Sequence, residues 1–137
     1  MRLIVLLLSV IVLLSPLMHT GSATVQTAVS LVGTNNVPAG TLCNTGSGTY
    51  TTSPTDMWGQ TVAGTTTRTY ICVQNRGPSA YTVRITSTLP TPEGIITTPQ
   101  SGATIMAGAY VLMAFDWTVP VGAKSGQVSF TITFRSR

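Results

Sequence analysis

Histidine, lysine and acidic residues are the scarcest chemistry in this chain. One histidine, His19, occurs in 137 residues, and charged residues make up 7% of the whole, against roughly a quarter in ordinary globular domains. Beyond residue 23 there is no histidine at all. That removes Ser-His-Asp and Cys-His nucleophile arrangements and any histidine-bearing metal site. The carboxylates are Asp56, Glu93 and Asp116. Each has a plain place: a turn, a loop after a proline, and the outer face of a strand. Three scattered carboxylates are a poor source for the six to eight oxygens of a calcium site or for the paired acids of a glycosidase. The composition therefore points away from an enzyme and calls for no metal or cofactor. Lys124 is the one lysine. An isopeptide cross-link through it, with Glu93 or Asp116 assisting, competes with a solvated loop lysine, which is the ordinary state of a loop residue.

Long apolar runs are missing too, except at the start. After Met1-Arg2, residues 3–14 are apolar apart from Ser9, followed by Pro16 and the small residues Gly21 and Ala23. This is the layout of a secretory signal peptide over residues 1–23, with cleavage after Ala23 and Thr24 as the first mature residue. The rival is an uncleaved anchor, for which the run falls short of the ~20 residues a spanning helix needs. Removing Arg2 with the leader leaves six basic against three acidic residues, a net charge of +3 over residues 24–137. The basic residues are dispersed, so a nucleic-acid surface, which needs grouped cations, is not expected. Nor is a membrane partner once the leader is gone.

Only two cysteines occur, Cys43 and Cys72. In an exported chain such a pair reads as a disulfide; the alternative is two buried thiols.

What is abundant is threonine: 24 of the 114 residues after Ala23, β-branched side chains that suit strands. In residues 126–135, Val128, Phe130, Ile132 and Phe134 alternate with Gln127, Ser129, Thr131 and Thr133, the period of a strand with one buried face. Residues 110–118 place Val111, Met113, Phe115 and Trp117 on one face. In residues 67–75, Ile71 and Val73 oppose Tyr70 and Cys72, while Tyr81, Val83 and Ile85 form another alternating set. Residues 57–63 are weakly patterned. Residues 25–32 read as one strand with Val25, Val29 and Leu31 on a side, set off by the Gly- and Pro-containing loop 34–41. With Gly and Pro punctuating seven to nine short strands, the reading is all-β, a single two-sheet sandwich over residues 24–137. Tyr81, Phe115, Trp117, Phe130 and Phe134 are its expected core. Trp58, flanked by Met57 and Gly59, reads first as a hydrophobic plug over the sandwich end; the alternative is an exposed ring able to stack on a sugar.

From Thr69 onward the chain resembles the immunoglobulin-like accessory domains of secreted bacterial and archaeal proteins. The resemblance rests on Asn75-Arg76-Gly77, Leu89-Pro90, Gly94-Ile95-Ile96-Thr97-Thr98-Pro99, Ala107-Gly108-Ala109 and Val119-Pro120-Val121-Gly122-Ala123-Lys124-Ser125-Gly126. It implies an immunoglobulin-like fold. In size, composition and detachable first strand, the chain also looks like subunits of archaeal extracellular threads and bundling pili, where an N-terminal strand is lent to the next subunit. That likeness implies a homopolymer at the cell surface, with residues 24–33 as donor strand and Val25, Val29 and Leu31 as the inserted side chains. The other expectation is a polysaccharide-binding module using Trp58, and a secreted hydrolase is a remote third.

Overall fold

The computed structural model describes residues 18–28, 30–45 and 48–136; most of the leader, and Val29, lie outside them. The fold is all-β, two four-stranded sheets packed as a sandwich. In chain order the strands are β1 (Met18–Gln26), β2 (Leu31–Gly33), β3 (Thr55–Val62), β4 (Thr66–Asn75), β5 (Tyr81–Thr82), β6 (Arg84–Ser87), β7 (Ile95–Thr97), β8 (Thr104–Ile105), β9 (Tyr110–Thr118) and β10 (Gly126–Arg135). One sheet runs β3-β1-β10-β6, the other β2-β4-β9-β7, and β5 pairs with β8. The described chain has ten strands rather than seven to nine, because two expected strands bend from sheet to sheet. The segment expected as one strand at 25–32 ends at Gln26 and resumes as β2 in the opposite sheet. The chain likewise changes partners at Val83, between β5 and β6.

The alternating runs behave as their side chains dictate. Phe130, Ile132 and Phe134 of β10 face Met113, Phe115 and Trp117 of β9 across the interior, all buried, with Tyr81, Val83, Ile71 and Val73. Aromatic rings dominate: Phe115 meets Phe134 edge-on, and Trp58, Trp117 and Phe130 are mutual neighbours with centroids 5.4–6.2 Å apart. Burial of such rings is the main stabilising term for a domain this size. Cys43 and Cys72 form the expected disulfide, their Cα atoms 5.3 Å apart.

β3 is the weakly patterned stretch, and the reason is a bulge. Gly59 pairs with Gly21 but Met57 pairs with the next residue, Ser22, and Gly59 takes φ +63°, a value that favours glycine. The extra residue shifts the inward phase, so Asp56 and Trp58 face the core before the bulge and Thr61 after it.

Candidate functional site

The feature that departs most from an ordinary sandwich is the position of β1. It is the N-terminal strand, yet it lies inside its sheet, antiparallel to β3 on one side and parallel to β10 on the other. A cut after Ala23 would take residues 18–23 of this strand away, because β1 begins at Met18. Those six residues bridge from Val62 to Asp56 on β3 and from Gly126 to Phe130 on β10. Their removal would leave half a slot between two strands.

The floor of that slot is aromatic. Trp117 lies under Gly21 so closely that a Cβ built there would stand 2.4 Å from its Cζ3 atom; only hydrogen fits. Its indole nitrogen donates to the carbonyl of Glu93 at 2.9 Å. His19 packs edge-on to the same ring. Its two ring nitrogens have no partner among the described residues, and neither has the hydroxyl of Thr61, directly opposite on β3. Buried polar groups left without partners each cost about 1–3 kcal/mol. The leading half of β1 is therefore the less well satisfied half, whereas Ala23 and Val25 further along are buried among apolar neighbours.

Trp58 is not an exposed platform. It is 5% exposed, stacks at a tilt on Phe130 and donates from its indole nitrogen to the Thr67 carbonyl at 3.1 Å. Trp58 keeps the inward phase of Asp56, in line with the reading of a buried plug rather than with that of a sugar-stacking ring. The proposed inserted set is also divided. Val25 points into the core from β1 and Leu31 from β2 in the facing sheet, both fully buried, and Val29 lies outside the described residues. In this structure the three do not line one strand.

The carboxylates do not converge. Asp116 is on the outer face of β9, held by Arg68 of β4 through bonds of 2.6 and 2.7 Å. Those bonds draw its carboxyl below the usual range. Glu93 closes a single 3-10 turn after Pro92. Lys124 is exposed on the β9–β10 connection. Asp56, expected in a turn, is instead on β3 and fully buried. Thr69 donates to its Oδ2 at 2.6 Å and Asn36 to its Oδ1 at 2.5 Å. The carboxamide of Asn36 also takes the Met57 N–H at 2.7 Å and gives to the Met57 carbonyl at 2.9 Å, while Asn35 takes the Thr55 N–H. These side chains occupy part of the free margin of β3. Sequence reasoning missed this cluster, since its members lie 13 and 20 residues from Asp56 and no local pattern joins them.

Burial pushes the Asp56 carboxyl up to about 6, with the bonds from Thr69 and Asn36 pulling the other way. The folded value exceeds the unfolded one, so the native state holds the proton more tightly between about pH 4 and 6. This group's contribution to stability is thus complete below about pH 4 and lost as pH rises through about 6, a change of about 3 kcal/mol. Asp56→Asn is expected to flatten that dependence, read as urea midpoints at acid and neutral pH; a variant retaining the full slope would assign it elsewhere.

Among the described residues no group of three His, Cys, Asp or Glu side chains is placed to hold a metal, and no helix is long and apolar enough to cross a membrane. No family model matches the chain, and no curated protein matches it.

Proposed function

We propose that this is a non-catalytic structural or adhesive protein of the cell surface, exported by its leader, whose copies join by β-strand addition. The observation that carries this reading is the interior seat of an N-terminal strand whose leading half coincides with the end of the expected leader. Cleavage after Ala23 would yield a subunit with an open half-slot and a short N-terminal remnant, residues 24–26, ahead of β2. Residues 24–33 of a neighbour, straightened, offer Val25, Val29 and Leu31 at alternate positions to the slot of the next copy. Main-chain ladders on both flanks supply the binding, and the side-chain pockets supply the register. Such a contact is heterologous and does not close, so it builds an open polymer.

The test compares chains beginning at Thr24 and at Met18 by sedimentation and negative-stain imaging. The first is expected to polymerise with a β-type circular-dichroism spectrum, the second to stay monomeric. A synthetic peptide of residues 18–26 added to the first should occupy the slot and stop growth. A folded monomer from Thr24, or polymers indifferent to the peptide, would sink the proposal. The polysaccharide-module reading loses its platform with Trp58 buried; Trp58→Ala acts on the core.

A further inference from the structure

We propose that the outer face of the β3-β1-β10-β6 sheet binds an acidic polysaccharide, with Arg84 and Arg135 receiving its carboxylate or sulfate groups. Because Phe130, Ile132 and Phe134 point inward, Gln127, Ser129, Thr131, Thr133 and Arg135 form the outward row of β10. Arg84 of β6 is the cross-strand partner of Arg135 and so projects on the same side. Like charges directly opposite one another destabilise a sheet. Among the described residues no carboxylate is paired with them: Asp116 is engaged by Arg68, Asp56 is buried, and Glu93 lies in the 3-10 turn. Arg135 donates from Nε to the Thr86 hydroxyl at 3.3 Å, and both arginines are exposed. Beside Arg84 is an open cleft of about 540 Å³, lined also by Ile85, Ser101 and Gly102.

The two arginines are the only charges on this face among the described residues. The rest of the β10 row, Gln127 to Thr133, is hydroxyl and carboxamide over about 20 Å at the rise of a strand, and the polar side chains of β1 lie alongside. Guanidinium pairs hold planar oxyanions in forked hydrogen bonds, and a row of neutral donors and acceptors matches the hydroxyls of a sugar chain. A nucleic acid asks for many grouped cations, which this face lacks, and a lipid surface for apolar residues around the charge; the exposed apolar residues of this face, Met18, Met57 and Val62, lie on β1 and β3, away from the two arginines. The two arginines lie on β6 and β10, neither of which leaves its own copy in the proposed strand exchange.

The experiment measures binding of the folded protein to immobilised heparin, a sulfated probe, and to polygalacturonate, a carboxylate probe, with neutral dextran as blank, at about 0.1 M salt, where screening is moderate. Arg84→Ser and Arg135→Ser are each expected to weaken binding about tenfold through loss of a forked contact. Arg76→Ser makes the same change in net charge at an exposed position elsewhere and is expected to cost about twofold at most, a general electrostatic effect. The stronger probe tells sulfate from carboxylate as the preferred group. Equal losses in all three variants, no binding to either polymer, or tighter binding to duplex DNA through the same arginines would overturn the proposal.

Discussion

Replacing Trp117 by alanine is expected to cost about 3–5 kcal/mol, the range for emptying a buried aromatic site, and to leave a chain close to the limit of folding. The ring has no exposed surface and supports His19, Trp58, Phe130 and the backbone at Gly21 together. The companion test is Gly21→Ala, which places a methyl group inside the ring's own volume. Overpacking of this kind costs about 1–3 kcal/mol and forces the ring or the strand to move. Trp117→Phe removes part of the obstructing ring, so Gly21→Ala should be far less harmful in that background. A double-mutant cycle on urea unfolding free energies reads the coupling directly. Additive losses would mean that Gly21 and Trp117 do not share the space the structure gives them.

Removal of the disulfide, by Cys43→Ala with Cys72→Ala, is expected to lower stability by about 3–4 kcal/mol, the loop-entropy figure for a ring of some thirty residues. For a domain of this size that corresponds to a fall in Tm of roughly 10–20 °C. The bridge fastens the loop after Gly40 onto the outer side of β4. There Tyr50 donates to the Cys43 carbonyl and meets Tyr110 edge-on, around a hollow of about 300 Å³ lined by Leu42, Tyr110 and Leu112 among others. The core is on the other side of the sheet, so the loss should appear in the unfolding midpoint with the native circular-dichroism spectrum unchanged. A reduced protein within about 1 kcal/mol of the oxidised one would place the stabilisation of that loop in its side-chain contacts, since other contacts then offset the lost loop-closure term.

The two longest strands of regular alternation near the end of the chain were legible, whereas the alternating set at Tyr81 to Ile85 hid a change of sheet at Val83. β9 and β10 lie where Val111 to Trp117 and Val128 to Phe134 place them, and the outward Asp116 on β9 finds Arg68 at its cross-strand position. The bridge between Cys43 and Cys72 followed from their number and the export reading. What failed to show was governed by shape or by distance along the chain. Gly21 is small because Trp117 leaves room for nothing larger, and Ala23 is buried in the core, yet small residues at that spacing after an apolar run are also what a leader peptidase site requires. Two causes give one pattern, and only the packed partner separates them. Trp58 beside Gly59 looked like a ring in a flexible segment, whereas that glycine belongs to a bulge within a paired strand, where Trp58 keeps the inward phase of Asp56. Asp56 after Pro54 looked like a turn residue because Asn36 and Thr69 are remote in sequence. The face carrying Arg84 and Arg135 was invisible for the same reason: 51 positions separate the two arginines, and the sheet alone makes them neighbours.

The carboxamide of Asn36, bonded to both main-chain groups of Met57, imitates one rung of an absent strand. Unpaired margins are where β-proteins fuse sideways into aggregates. A chain dressed in threonine rather than charge has little electrostatic means of keeping neighbours off, so this plugging matters more here than in a highly charged domain. In an exported, polymerising chain of the kind proposed, the stretch of border at Thr55 to Met57 would offer no seam to zip along, and assemblies would be expected to lengthen in single file rather than thicken into ribbons through that stretch.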